Sequence, residues 1–237
     1  MSARLSRVTW PEVPAAGAVV LVPVGSTEQH GPHLPFTTDT VIARAVAERV
    51  GERLSGPVFV APALAYGNSG EHADFPGTVS IGHEALRLVL IEAVRSLARW
   101  AGRIVFVNGH GGNVRTLDEA VSALRADGHH VGWTPCVFPG DAHAGRSETS
   151  VMLHLAPAQV RLSAAEAGDT RPVAALMPEL VRGGVRSVAP NGVLGDPAGA
   201  TEREGRALID ALVDDTVRRV ADFTSDPSST DHRGRLS

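Results

Sequence analysis

Ala18-Val19-Val20-Leu21-Val22-Pro23-Val24 is an unbroken apolar run with no alternation of polar residues. A half-exposed strand alternates, whereas a strand covered by helices on both faces reads as a continuous apolar segment. The run therefore predicts the first core strand of a covered, mostly parallel sheet. Beyond it, Val41, Ile42, Ala45, Val46, Val50 and Leu54 recur at helical spacing from Asp39 until Gly56-Pro57 stops the pattern. Val58-Phe59-Val60-Ala61 predicts a second strand, Leu86 to Trp100 a periodic helix ending near Gly102, and Arg103 to Val107 a third strand. Asn113 to Ala126, His130 to Cys136, Thr149 to Leu155 and Glu202 to Phe223 continue as helix, strand, short helix and terminal helix. Strands alternating with helices, joined by connections too long for hairpins, predict a three-layer α/β/α sandwich. We expect one domain over residues 1–224 and a polar tail over 225–237 that frays.

Two stretches carry no periodicity of their own. Ala65 to Gly82 is rich in Gly, Asn, Ser and Pro, and Arg182 to Ala200 holds five glycines. Long aperiodic connections in a compact domain are often functional, and both are expected to wall a binding pocket.

Composition narrows the classes of function. The 237 residues are 43% hydrophobic and 20% charged, as in ordinary globular proteins. A net charge of −4 argues against broad attraction to nucleic acid or an anionic membrane. The lone cysteine, Cys136, has no partner for an internal disulfide, so no oxidising compartment is required. No signal-like segment and no window of about 20 apolar residues is present, and a cytoplasmic protein is expected.

Carboxylates and imidazoles gather where the apolar runs end. Glu28-Gln29-His30 follows the first strand, and in extended backbone Glu28 and His30 point to the same side. Asn108-Gly109-His110 follows the third strand amid glycines that permit a sharp turn, and His143-Ala144-Gly145-Arg146-Ser147-Glu148 lies further on. Asp39 opens the first helix, where taken alone it reads more readily as a cap or a helix-dipole partner than as a ligand. Open α/β sheets bind ligands at the carboxyl ends of their strands. Oxygen and nitrogen donors without cysteine suit Zn²⁺, Mn²⁺ or Fe²⁺ in a catalytic site better than a closed structural zinc site. His129, His130, His154 and His232 stand alone and are assigned to the surface or to a hydrogen-bonded core. Ser26-Thr27 and Ser147 show no ordered serine–histidine–aspartate arrangement.

The segments Val24 to Pro35, Thr38-Asp39-Thr40, Asn108 to Asn113, and His143-Ala144-Gly145 with Glu148-Thr149-Ser150 resemble the creatininase family over most of the chain. The resemblance implies an α/β/α sandwich, a homo-oligomer (a hexamer or similar), two divalent metal ions per subunit (Zn, Fe or Mn), and hydrolysis of amide bonds. It implies that Glu28, Asp39 and His110 hold one metal and that His30 and Asp39 hold the second, with Asp39 bridging. Creatininase carries a glutamate ligand two positions after the histidine of the Asn-Gly-His segment, whereas this chain has Gly112. Glu148 is the expected replacement ligand. His143 corresponds to the histidine near the substrate and is expected to transfer a proton or position the carbonyl, unless it only orients Glu148; Asp141 would orient His143 in turn. Glu71-His72, with Asp74, is expected to line the pocket wall rather than bind metal.

Within the family the pattern is most similar to the mycofactocin-system branch, whose substrate is a ribosomal precursor peptide with a modified C-terminal Val-Tyr. The branch implies a peptidase that releases that dipeptide. Creatinine ring-opening uses tryptophans in the family's name-giving enzyme, and Cys136-Val137-Phe138-Pro139-Gly140 offers no equivalent aromatic wall. A creatinine amidohydrolase, an amidase or deformylase of a small heterocycle, and a non-catalytic metal-binding scaffold that presents a peptide remain the alternatives.

Overall fold

The computed structural model describes residues 2–226, 228, 231 and 233–236. Five parallel strands form one sheet: β1 (Ser2–Arg4), β2 (Ala18–Val24), β3 (Val58–Val60), β4 (Ala101–Asn108) and β5 (Val131–Pro135), in the order β1-β3-β2-β4-β5. Helices α1 (Thr38–Arg53), α2 (Gly82–Leu97), α3 (Val114–Ala126), α4 (Arg146–Leu155), α5 (Val173–Val188) and α6 (Glu202–Ser225) complete the fold.

The apolar run of β2 is buried because it feeds two cores. Val20, Val22 and Val24 pack with Leu86, Leu90 and Val94 of α2 and Leu117, Val121 and Leu124 of α3. Leu21 packs on the opposite side with Ile42, Val46 and Val50 of α1, Val151 and Met152 of α4, and Ile209, Val213 and Phe223 of α6. The result is the expected α/β/α sandwich, and no described helix is long and apolar enough to cross a membrane.

From β2 the chain passes through α1 to β3 on one side, then returns through α2 to β4 on the other. The strand order thus reverses about β2, and the carboxyl ends of β2 and β4 open on the crevice where doubly wound sheets bind ligands.

Two elements depart from expectation. The stretch from Arg182 to Ala200 is only partly loop, because residues up to Val188 belong to α5. Pro178 inside that helix and Gly184 at φ 66° break it into short pieces whose periodicity the sequence conceals. Leu176 and Val185 nevertheless bury a small core with Ala189 and Leu194. The second element is β1, a three-residue edge strand with only intermediate burial, which has no apolar signature.

The expected tail is held in part. Trp133 and Leu236 exchange backbone hydrogen bonds with the tail, Trp133 N–H to Gly234 O and Leu236 N–H to Trp133 O. Leu236 is buried, and Arg235 lies over the Trp133 ring. Pro227, Ser229, Thr230, His232 and Ser237 lie outside the described residues.

Helices α4 and α6 meet at Gly205, whose absent Cβ would fall 2.7 Å from Val151 N and closer still to the Ser150 carbonyl. Gly205→Ala should therefore lower stability by about 1–3 kcal/mol through overpacking, read as a lower urea midpoint at unchanged slope.

Candidate metal centre

Glycines bring three chain segments together. A Cβ on Gly25, just after β2, would lie 2.5 Å from the Thr40 Cα, so the strand exit presses on the first turn of α1. Gly109, just after β4, has its α-carbon side against the Asp39 carbonyl. Glu28, His30, Asp39 and His110 thereby converge, each buried.

Asp39 is not a helix cap. Thr37 holds the cap position without a side-chain bond, while the Asp39 carboxylate accepts from Ser26 Oγ at 2.7 Å. His30 Nε2 lies 3.0 Å from its Oδ1 and His110 Nδ1 lies 3.4 Å from its Oδ2. On the far side of His110, Nε2 is 3.1 Å from Glu28 Oε2. His30 Nδ1 donates to the Glu28 carbonyl at 3.1 Å, which fixes the ring and aims Nε2 at the cluster, as in histidines that bind metals.

Glu28 supplies the test of whether an ion fits. Its side chain is fully buried, yet neither carboxylate oxygen has an aligned hydrogen bond among the described residues. An orphaned buried carboxylate is costly unless it meets a cation. Three sets of donor atoms are close enough to share an ion: Glu28, Asp39 and His110; His30, His143 and Glu148; and Glu28, His72 and His143. Oxygen and imidazole donors of this kind suit a divalent transition metal.

The third set contains a residue expected only in the pocket wall. His72 Nε2 lies 3.3 Å from Glu28 Oε1, and Glu71 Oε1 lies 3.4 Å from His110 Nε2. Glu71 and His72 therefore reach the cluster itself. The loop bearing them folds back because Val79 N–H bonds Thr27 O at 2.8 Å and Gln29 N–H bonds Thr78 Oγ1 at 3.1 Å. Adjacent Glu and His residues in an aperiodic loop were the only signal in the sequence.

The same loop explains Gly112. A Cβ there would lie 2.5 Å from Glu71 Oε1 and would also clash with the Asn68 carbonyl. A Glu71 carboxylate thus stands where a side chain at position 112 would begin, whereas Glu148 approaches from the side of His30 and His143.

His143 sits after a tight turn. Ala144, at φ 53°, is the one non-glycine with positive φ among the described residues, and Glu148 accepts its N–H at 2.7 Å. Asp141 does not orient His143. Its carboxylate accepts from Arg146 N–H at 2.7 Å and Asp196 N–H at 3.4 Å, tying the loop together instead. The partner of His143 is Gln29, which sequence reasoning passed over.

Electrostatics divides the histidines. Burial alone would depress His30, but Asp39, then Glu148 and Glu28, raise its pKa to about 9. Burial likewise opposes charge on His110, and Glu28 and Asp39 overcome it to push its pKa well above the usual value. Burial keeps His72 neutral, down to about 4, and holds His143 well below its ordinary value, reinforced by His30 in each case. Burial raises Glu148 to about 7, with His30 opposing.

A parallel sheet with a buried carboxylate–imidazole cluster at its switch point is a candidate metal-binding site. The chain belongs to the creatininase family: the family pattern for creatininase (creatinine amidohydrolase) matches residues 6–220. By that membership it is a hydrolase. It is 53% identical over 232 residues to the mycofactocin precursor peptide peptidase of Mycobacterium tuberculosis (strain H37Rv), covering 94% of this chain and 92% of that one. Among solved structures it resembles a manganese form of creatininase and a Zn-Zn form of a creatininase variant. Each has a TM-score of 0.77 at 28% identity and covers 94% of this chain and 98% of the other.

These shifts set the pH behaviour of the metal-free protein. His30, with its pKa raised from 6.5 to about 9, contributes stability that is complete below pH 6.5 and is lost as pH rises through about 9. His72, depressed to about 4, acts oppositely and gains stability between about 4 and 6.5. Chelator-stripped protein should therefore have a lower urea midpoint at pH 9 than at pH 6.5. Metal uptake near pH 7.5 should release protons from His30 and His110, measurable with a pH indicator.

Proposed function

We propose that this chain is the peptidase that cuts the modified C-terminal Val-Tyr dipeptide from the mycofactocin precursor peptide. The metal-dependent part of this reading is carried by the buried Glu28 carboxylate, whose oxygens lack aligned hydrogen bonds beside Asp39, His30 and His110. The choice of substrate is supported by 53% identity to a mycofactocin precursor peptide peptidase over nearly the full length of both chains.

In this reading Glu28, Asp39 and His110 would hold one divalent ion, and His30, Asp39 and Glu148 would hold a second. Such ions, when bound, supply an activated water and electrophilic assistance at a carbonyl. The protein's own groups do the rest. Burial of the cluster excludes bulk water from the amide and strengthens the fields that act on it. His143, buried and neutral, is the group that takes up a proton and delivers it to the departing nitrogen. Its ring lies 4.3 Å from that of His30, centroid to centroid, so a proton on His143 is held beside the proposed ligands.

None of the three tryptophans is placed at the cluster. Trp10 is exposed, Trp100 packs edge-on against Phe59, and Trp133 is buried under the sheet edge beside Arg235. Phe138 packs against the core that α6 helps to form. A cytoplasmic homo-oligomer, a hexamer or similar, and one domain over 1–224 belong to the same reading.

Incubation of metal-loaded protein with the modified precursor should release the dipeptide, detected by mass. Turnover of creatinine with no dipeptide would overturn the peptidase assignment. His143→Ala should lower kcat about 10²–10⁴-fold with metal content unchanged. Elemental analysis should find both ions gone from Asp39→Ala and chiefly one from Glu148→Ala; two ions retained in Asp39→Ala would remove Asp39 from the ligand set.

A further inference from the structure

We propose that Gln29, lying between Glu28 and His30, is a positioning residue that sets the tautomers of His72 and His143 and so assigns each imidazole its task. The proposal rests on the metal-hydrolase reading above for its consequences, though not for its geometry.

The orientation of the Gln29 amide is decided by two backbone groups. Gly31 N–H donates to Oε1 at 2.8 Å, and Gly192 O accepts from Nε2 at 3.0 Å. A flipped amide would lose both bonds, so oxygen and nitrogen are assigned by chemistry. Gly192, at φ 82°, has no side chain, and a Cβ there would overlap Gln29 Oε1. The loop after α5 is thus shaped to this amide.

Nε2 of Gln29 also lies 2.8 Å from His72 Nδ1 and 3.1 Å from His143 Nε2. It has two hydrogens for three neighbours. The backbone resolves the excess. His143 Nε2 lies 2.9 Å from the Gln29 carbonyl, which can only accept, so His143 carries its proton on Nε2 and donates it there. The two amide hydrogens then go to Gly192 O and His72 Nδ1. His72 must accept at Nδ1 and carry its proton on Nε2, the atom 3.3 Å from Glu28 Oε1.

Two assignments follow. His72 turns an N–H and not a lone pair toward Glu28 and so stays out of the ligand set. His143 keeps its lone pair on Nδ1, which leaves that nitrogen as the base. Gln29 therefore fixes His72 through its side chain and His143 through its carbonyl, two rings whose centroids lie only 4.6 Å apart.

The test is direct. In zinc-loaded, ¹⁵N-histidine-labelled protein, two-bond ¹H–¹⁵N correlations identify the protonated nitrogen of each ring, and His72→Gln and His143→Gln variants assign the signals. We expect Nε2–H on both residues in the unmodified protein. In Gln29→Glu the amide donor is replaced by an acceptor, and His72 should switch to Nδ1–H. Nδ1–H on His72 in the unmodified protein would overturn the proposal without any variant having to fold. So would an unchanged His72 pattern in zinc-loaded Gln29→Glu. Gln29→Ala should lower kcat about 10–100-fold with little change in KM, the size typical of residues that orient metal-site groups. Equal losses in Gln29→Ala and in protein yield, with the tautomers unchanged, would assign Gln29 to folding alone. Because the tautomers are read without substrate, failure of the peptidase reading would leave this result standing.

Discussion

Two carboxylates, Glu28 and Asp39, are buried side by side, and the surrounding structure is organised to make that tolerable. Like charges at close range in a medium of low dielectric repel strongly, and each also forfeits hydration. The fold answers with His30 and His110, both driven toward the charged form. It also supplies Ser26, whose hydroxyl donates to Asp39. Those imidazoles reach the carboxylates only because Gly25 and Gly109 let the exits of β2 and β4 lie against the first turn of α1. The glycines are therefore electrostatic requirements as much as steric ones: a side chain at either would separate the charges from their partners.

That dependence explains what was legible in the sequence. Strands β2, β3, β4 and β5 could be read because parallel strands covered on both faces are written as contiguous apolar residues. Helices α1, α2, α3 and α6 could be read because their buried positions keep a helical period over three turns or more. Glu28, His30, Asp39 and His110 were legible as a group because they stand at strand ends or a helix start, where topology alone makes them neighbours. α5 was not legible, since Pro178 and Gly184 divide its period, nor was β1, which is too short to have one.

Gln29 was missed, and Glu71 and His72 were read only as pocket wall, for a different reason. Their positions depend on how the loop from Ala65 to Gly82 folds back, through Val79 to Thr27 and Thr78 to Gln29, and no local pattern encodes that return. Gln29 was hidden by its neighbours as well. Between a glutamate and a histidine it reads as a spacer, and in extended backbone it points away from them. In the structure its amide instead reaches His72 and His143, which border the same cluster as Glu28 and His30, and Gly192 beside them.

Gly112 depends on the same loop. From sequence it is a lost carboxylate, calling for a replacement at Glu148. In three dimensions the space beyond its α-carbon is filled by the Asn68 carbonyl and the Glu71 carboxylate. Asn68 is itself fixed, since its N–H donates to Asn113 Oδ1 at 2.9 Å and its amide donates to Gly112 O at 3.1 Å. Its carbonyl in turn faces His110 Nε2 at 3.0 Å. The loop can approach His110 this closely only because position 112 has no side chain. Restoring a glutamate there would therefore not simply add a ligand; it would displace Glu71 and the backbone that holds His110. Acidic groups at this centre are thus alternatives in space, and the backbone around position 112 leaves room for Glu71 and not for a second carboxylate beside it.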